Sequence, residues 1–131
     1  MLRDFPVLFE TLKALMIAAA PDMAVTQSSD CCLTVKTRWI EARTGEPAWF
    51  GWIAIKASYV AYHLRPLYTL PELNALVPAS LERKRQGKTC FAFRSVDDAL
   101  LEDLRILTER LAGKEADLRA AIGQTFPLPR S

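Results

Sequence analysis

The sequence has few of the residues from which metal centres and disulfide frameworks are built. It contains three cysteines and one histidine, and no two cysteines have the CxxC spacing of zinc ligands. Cys31 and Cys32 are adjacent, and Cys90 lies far from both in the chain. Free cysteines usually pack as small apolar side chains. We therefore expect three free thiols in a reducing compartment, and no disulfide framework, bound metal or other cofactor.

The chain also lacks a strong charge of either sign and a long uncharged apolar run. Seventeen lysines and arginines face fifteen aspartates and glutamates, which gives a formal net charge of +2. This balance argues against a general attraction to nucleic acid or to membranes. Asp4, Glu10 and Lys13 interrupt the apolar residues near the start, where a signal peptide or membrane span would need an uncharged run. The sequence therefore predicts a cytoplasmic protein.

The residues that are present suffice for one folded domain. Half of the 131 residues are hydrophobic, so the chain is able to bury a core without disulfides or metals. It contains no internal repeat, linker or low-complexity tract. We expect a single domain over residues 1–123 and a proline-containing C-terminal tail over residues 124–131.

Helical periodicity marks both ends of this domain. Residues 4–19 carry apolar side chains at spacings of three and four, and Pro21 follows them. Ser95 with Asp98 is a second N-terminal cap signal, after which leucines recur at helical spacing until Gly113. Each pattern predicts an amphipathic helix that packs on a sheet.

A third helix is predicted in the middle of the chain. Residues 69–72 have the form of a capping box, in which a threonine hydroxyl and a glutamate carboxylate satisfy free amides. Pro78 should kink or split this helix, and Gly87 stands where a left-handed C-terminal cap is expected.

Alternating apolar and polar residues predict the strands. Residues 31–42 alternate, residues 49–67 read as two adjacent strands, and residues 88–94 form another short strand. Residues 23–29 are expected to be a short extended or irregular connection. The sequence therefore predicts an α+β fold, with an antiparallel sheet of four to five strands and the N-terminal and C-terminal helices packed on one face.

The central hairpin sorts its side chains between two faces. A turn at Lys56 and Ala57 would place the aliphatic residues toward the core, because successive residues of a strand alternate between faces. The predicted core face carries Trp49, Gly51, Ile53, Ile55, Val60, Tyr62 and Leu64. The predicted open face carries Phe50, Trp52, Ala54, Tyr59, Ala61, His63 and Arg65. Large rings mixed with cationic groups indicate a partly exposed surface.

Three runs of this sequence resemble the YdhG-like family. They are YVAYHLRPLY (59–68), LERKRQGKTCFAF (81–93) and DDALLEDL (97–104). The residues that match the family pattern are Tyr59, His63, Tyr68, Gly87, Lys88, Cys90, Phe91 and Phe93. The resemblance implies an α+β sheet covered by helices on one side. It also implies a frataxin-like function as an alternative, since some members are described as iron chaperones.

Iron handling would require several carboxylates close together. The best acidic group lies on and before the last helix, at Asp97, Asp98, Glu102, Asp103 and Glu109. Helix capping and a solvated helix face already account for these residues, because acidic side chains are favoured at helix N-termini. We therefore rank iron binding second.

The candidate site is a set of rings and cations on the open face, around the one histidine of the chain. Arginine and lysine would face an anion, and a tryptophan or tyrosine would stack on an aromatic ring. The predicted ligand-binding residues are Trp52, Tyr59, His63, Arg65, Tyr68, Lys88 and Cys90. This set predicts a non-catalytic protein that binds a small anionic or aromatic ligand or a protein partner.

Other functions remain open from the sequence. Cys90 with His63 as base would form a nucleophile, but no orienting group or oxyanion site is identifiable. The basic run over residues 82–88 would contact phosphates, although cations are favoured at a helix C-terminus in any case. A nucleic-acid interaction module is thus a third alternative. We also expect a homodimer, because self-association would cover the exposed rings.

Overall fold

Five strands form an antiparallel meander in the computed structural model, which describes residues 5–123 and 125–127. Their order across the sheet is their order along the chain. The strands are β1 (Ala24–Ser28), β2 (Cys32–Glu41), β3 (Pro47–Ile55), β4 (Val60–Leu64) and β5 (Cys90–Phe93). The predicted α+β fold is confirmed, and the expected connection before residue 30 contains strand β1.

A sixth short strand, β6 (Thr125–Pro127), pairs with residues 39–41 of β2. It occupies the same edge of β2 as β1, which pairs with residues 33–36. β6 falls within the predicted C-terminal tail, where two prolines masked the signal for a strand. Residues 124 and 128–131 of that tail lie outside the described residues.

Helices α1 (Phe5–Ala19) and α4 (Asp98–Ala112) cover one face of the sheet, which we call the core face. On α1, Leu8, Phe9, Leu12 and Met16 are buried in the core. On α4, the leucines predicted at helical spacing are buried: Leu100, Leu101, Leu104, Leu107 and Leu111. Leu118 of the shorter α5 (Glu115–Ile122) is buried as well. The expected packing of N-terminal and C-terminal helices on one face is confirmed.

One buried hydrogen bond ties the sheet to α4. The Tyr62 hydroxyl lies 2.7 Å from the Thr108 hydroxyl, and Thr108 donates in turn to the Leu104 carbonyl at 2.8 Å. Since the Thr108 proton is used on Leu104, Tyr62 is the donor to Thr108. Burial raises the pKa of Tyr62, so the phenol keeps its proton.

The turn between β3 and β4 is centred one residue later than predicted, so the pairing of the two strands is shifted by two residues. Lys56 N donates to the Tyr59 carbonyl at 2.8 Å, and Ile55 stands opposite Val60. Because the shift is an even number of residues, the sorting of side chains is unchanged between Gly51 and Leu64. That part of the predicted hairpin is confirmed. We call the face that carries Trp52 and His63 the outer face.

The prediction is wrong at Trp49 and Phe50, because β3 contains a β-bulge there. Gly51 pairs with Val35 and Trp49 pairs with Lys36, so Phe50 is an extra residue between two pairs. Phe50 is 1% exposed and lies in the core, whereas Trp49 is 44% exposed.

The helix predicted after residue 69 is split at Pro78, which is one of the two predicted outcomes, but its parts are shorter than expected and one of them is not α-helical. The chain forms α2 (Pro66–Thr69), a 3₁₀ helix (Pro71–Leu76) and α3 (Ala79–Glu82). Prolines at or just before each start lack the N–H that a continuous helix needs. The capping box does not form, since the Thr69 hydroxyl donates to the Arg65 carbonyl. Gly87 is not left-handed, unlike Gly45 in the β2–β3 turn.

The N-cap of helix α4 lies two residues later than predicted. Its N-cap is Asp97, whose carboxylate accepts a hydrogen bond from Leu100 N at 3.1 Å, rather than Ser95. Gly113 follows its last residue, as predicted. In the described part of the chain, no helix combines the length and the apolar character that crossing a membrane requires.

Candidate functional site

Three rings lie in contact on the outer face. The ring centroids of Trp49 and Trp52 are 5.2 Å apart, with the planes nearly perpendicular. Trp52 also stacks on His63, with centroids 4.4 Å and planes 9° apart. Trp52 and His63 stand directly opposite each other in β3 and β4, so their side chains leave the sheet on the same side. We call these three residues the ring row.

The bulge at Phe50 creates the contact between the two tryptophans. In a regular strand, residues three apart point to opposite faces, so Trp49 would face the core whenever Trp52 faced outward. The extra residue turns Trp49 to the outer face, where the Lys36 ammonium lies 4.8 Å from its ring centroid. Bulges are frequent beside functional sites because they re-aim a side chain in this way.

Trp49 and Trp52 line a groove of about 600 Å³ on this face. One part of its lining lies at β1 and the start of β2 and carries no charge, and another part lies around the β2–β3 turn and just after β4. The first part includes Gln27, Cys32, Leu33 and Thr34, and the second includes Glu41, Arg43, Thr44 and Arg65. We refer to this cavity as the groove.

Cations outnumber anions in the lining of the groove. Arg43 and Arg65 supply two guanidinium groups, and Glu41 supplies one carboxylate. That carboxylate already accepts a hydrogen bond from the Thr44 hydroxyl at 3.3 Å. Arg65 is fixed by its backbone, because its N–H donates to the Phe50 carbonyl at 2.9 Å, directly beside the bulge. The groove therefore combines exposed indole surface with a net positive charge.

A second cluster, formed by Arg65, Tyr68 and Lys88, adjoins the groove at Arg65. The Arg65 guanidinium lies 4.4 Å from the Tyr68 ring centroid, and the Lys88 ammonium lies 5.7 Å from the same ring. Tyr68 is 50% exposed. Arg65 also lines a smaller cavity of about 250 Å³ together with Tyr68. Three residues predicted for the site are thus in one cluster that adjoins the groove.

The other predicted residues are divided. Cys90 stands opposite His63 in β5, so it extends the line of Trp52 and His63 away from the groove. Tyr59 lies four residues before His63 and contacts Arg94, whose guanidinium is 5.9 Å from its ring centroid. It does not line the groove. Trp52 and Arg65 are the predicted residues that do.

His63 and Cys90 do not form a nucleophile and base in the described structure. His63 Nδ1 lies 3.3 Å from the Thr89 hydroxyl, and no hydrogen bond joins His63 to Cys90 among the described residues. Burial, with a contribution from the Lys56 charge, lowers the pKa of His63, so the imidazole is neutral at pH 7. Burial raises the pKa of the Cys90 thiol. A neutral ring beside a protonated thiol supports packing rather than nucleophilic attack.

Three of the four acidic residues of α4 already have partners. Glu102 and Glu109 both form ion pairs with Arg105, and Asp103 accepts a hydrogen bond from Ser80 at 2.7 Å. The hydrogen bond from Arg105 lowers the pKa of Glu102. Within residues 5–123 and 125–127, no three His, Cys, Asp or Glu side chains are grouped so as to hold a metal ion.

The sequence did not indicate that Trp49, Lys36 and Arg43 belong to the site. Period two placed Trp49 in the core, and only the pairing partner in β2 reveals the bulge. Lys36 lies opposite Trp49 in β2, and its contact with the Trp49 ring depends on the same bulge. Arg43 lies in a turn, where strand periodicity carries no information.

In comparisons with protein-family models, curated proteins and solved structures, nothing matches this chain. The resemblance to the YdhG-like family therefore stays a prediction from the residues that carry it.

Proposed function

We propose that the groove binds a small aromatic molecule with an anionic group, and that the protein acts through this binding rather than through catalysis. The observation that carries the proposal is the bulge at Phe50. It places an exposed indole beside Trp52, in a groove that also holds Arg43 and Arg65.

The size and lining of the groove suit a single small molecule. Ligand pockets usually have volumes of about 300–1,000 Å³ and apolar or aromatic walls with a few polar groups. The groove, at about 600 Å³, has two indoles in its wall. Aromatic pairs contribute about 0.5–1.5 kcal/mol beyond the burial of their area. A flat ring on Trp49 would therefore gain both apolar burial and stacking.

The charge of the groove selects for an anion. Guanidinium groups bind carboxylates and phosphates through paired hydrogen bonds, which are stronger than bonds between neutral groups. Glu41 is the acidic lining residue, and its hydrogen bond with Thr44 occupies part of its capacity. A carboxylate or phosphate on the ligand would be a negatively charged partner for the guanidinium groups of Arg43 and Arg65.

Catalysis would require an activated nucleophile or base in contact with the ligand. The pKa of the Cys32 thiol, which lines the groove, is raised chiefly by its contact with Cys31, so this thiol is protonated at neutral pH. His63 lies behind Trp52 and contacts Thr89. Neither group has the environment of an activated catalyst, which supports a binding function.

Isothermal titration calorimetry with two matched probes tests the proposal. 2-Naphthoate carries the ring and the negative charge, and 2-naphthamide has the same ring with a neutral amide. We expect saturable one-site binding of 2-naphthoate. The amide should bind at least about tenfold more weakly, because a hydrogen bond to a charged group contributes roughly 1.5–3 kcal/mol.

Three variants assign the binding to the groove. Arg65→Ala should remove the preference for the carboxylate, and Trp49→Ala should weaken both probes. Arg110→Ala removes an exposed arginine from α4, on the other side of the sheet, and should change neither affinity. Equal losses in Arg65→Ala and Arg110→Ala would mean general charge attraction. Absence of saturable binding by either probe would contradict the proposal.

The other functions expected from the sequence would give different results. A nucleic-acid module would bind a single-stranded oligonucleotide more tightly than 2-naphthoate, with an affinity that falls steeply as salt rises. A frataxin-like protein would bind ferrous iron saturably, and this binding would be insensitive to Trp49→Ala.

A further inference from the structure

Two thiols lie side by side at the turn between β1 and β2. The Sγ atoms of Cys31 and Cys32 are 3.5 Å apart, and both cysteines are free. Adjacent side chains of a regular strand point to opposite faces. Cys31 precedes β2 and belongs to the turn, so its sulfur is able to approach that of Cys32. The two thiols that are adjacent in the sequence are therefore also in contact in the structure.

Ser29 holds the turn in this shape. Ser29 N donates to the Cys32 carbonyl at 2.9 Å, and Cys32 N donates to the Ser29 hydroxyl oxygen at 3.2 Å. The same hydroxyl lies 3.8 Å from Cys31 Sγ. The backbone on both sides of the two thiols is therefore fixed before any reagent arrives.

Both sulfurs are accessible from solvent. Cys31 is exposed, and Cys32 is half-buried in the wall of the groove. The contact with Cys31 is the main cause that raises the pKa of the Cys32 thiol, and the positive charge of Lys56 opposes this shift. Cys32 is therefore a thiol at neutral pH and gives up its proton when its sulfur bonds to an electrophile.

The spacing of the sulfurs fits one central atom. For a metal–sulfur bond of about 2.3 Å, two thiolates of a tetrahedral centre are roughly 3.8 Å apart, which is close to the distance between these sulfurs. A zinc site would need two more protein ligands, and no third His, Cys, Asp or Glu completes the group in the described part of the chain. The pair therefore suits a centre that takes two sulfurs and brings its own remaining substituent.

We propose that Cys31 and Cys32 form a two-thiol site for soft trivalent centres, of which monosubstituted arsenic(III) compounds are the simplest class. Soft thiolate ligands prefer such centres. In the reaction with R–As(OH)₂, two As–S bonds form and two As–O bonds break. The two thiol protons leave with the two hydroxyl groups as water, and no atom is oxidised or reduced.

The two thiols act together, and this sets the size of the expected effect. Once one sulfur has bonded, the second reacts within the same molecule, and such linked binding exceeds a single contact by about 10²–10⁴-fold. The site does not depend on the ligand proposed for the groove. Cys90 is a matched control, because it is a half-buried thiol on the same face of the sheet without a neighbouring cysteine.

Intact-protein mass spectrometry with phenylarsine oxide tests the site. The full chain is reduced with a phosphine, treated with the probe and then exposed to excess 2-mercaptoethanol, which removes adducts held by one sulfur. We expect one phenylarsine group per chain, with the loss of two thiol hydrogens. Cys90→Ser should keep this adduct.

Cys31→Ser and Cys32→Ser should each lose the adduct, with affinity for the probe reduced by about a hundredfold or more. Circular dichroism of each variant confirms that the fold is retained, and excess 2,3-dimercaptopropanol should release the group from the native chain. Retention of the adduct in Cys31→Ser or Cys32→Ser would overturn the proposal. So would its loss in Cys90→Ser, or its removal from the native chain by the monothiol.

Discussion

Gly51 shows how closely one residue of the sheet is confined. A Cβ at this position would lie 2.7 Å from Met16 Cε and 2.8 Å from the His63 carbonyl oxygen. The methionine end is flexible and is able to move away, but the carbonyl belongs to the paired strand β4. The close approach of α1 to β3 therefore depends on the absence of a side chain at Gly51.

We expect Gly51→Ala to lower the free energy of unfolding by about 1–3 kcal/mol, the usual range for overpacking a core. Gly87→Ala is the matched control, because no atom lies within 4 Å of its Cβ and its φ is not positive. Alanine reduces the conformational entropy of the unfolded chain, so Gly87→Ala should leave the free energy of unfolding unchanged or slightly higher. Urea denaturation measures both. Equal stabilities of the two variants would show that the approach is not tight.

His63 gives the protein a dependence of stability on pH with a definite sign. The pKa of the folded imidazole is below its ordinary value of 6.5, chiefly because of burial. Above that value, both states are neutral and the residue has no effect. As the pH falls below it, the unfolded chain binds a proton that the folded chain does not, so stability decreases. The decrease ends below the folded pKa, where both states are protonated.

We expect the imidazole NMR signal, which is unique because the chain has one histidine, to titrate below pH 6.5. His63→Gln should reduce the loss of stability between that pH and the folded pKa, measured by urea denaturation at several pH values. A titration midpoint above 6.5 would contradict the assigned burial.

At the scale of an element, strand β3 shows what periodicity is able to predict and what it is not. Alternation identified the face of every residue from Gly51 to Ile55, because a period of two persists through a regular strand. The bulge at Phe50 has no local signal. It depends on the residue of β2 that stands opposite, and a partner strand is not visible in the alternation of one segment.

Phe50→Ala and Trp49→Ala test the bulge as a pair. Phe50 is buried in the core, so its truncation should lower the free energy of unfolding by about 3–5 kcal/mol. Trp49 is largely exposed and should lose about 1 kcal/mol or less. Urea denaturation distinguishes the two. A larger loss of stability in Trp49→Ala than in Phe50→Ala would contradict the bulge and support the regular alternation that the sequence predicts.

Helix α4 offers a second comparison, between Ser95, the N-cap that the sequence predicts, and Asp97, the N-cap in the structure. Its leucine spacing was predictable because helical periodicity continues over 15 residues, whereas the N-cap depends on backbone geometry. Asp97→Ala should lower the free energy of unfolding by about 0.5–2 kcal/mol, because the Leu100 N–H loses its acceptor. Ser95→Ala should have almost no effect. If thermal or chemical unfolding showed a larger effect from Ser95→Ala than from Asp97→Ala, the N-cap would be Ser95 and the assignment to Asp97 would be wrong.

At the scale of the whole molecule, the helices α1 and α4 lie on one face and leave the ring row on the other. The sequence predicted this division, since aliphatic residues and large rings alternate along β3 and β4. It therefore placed Trp52, His63 and Arg65 on one surface. It did not place the groove, because the groove also needs the β2–β3 turn and the re-aimed Trp49.

The three tryptophans of the chain provide a direct test of the groove. Trp49 and Trp52 line it, and Trp39 is buried in the core. Their indole N–H signals would be followed in ¹⁵N-labelled protein and assigned with one Trp→Phe variant each. We predict that 2-naphthoate shifts the Trp49 and Trp52 signals along one saturation curve and leaves Trp39 unchanged. Shifts at Trp39 alone, or at none of the three, would contradict binding in the groove.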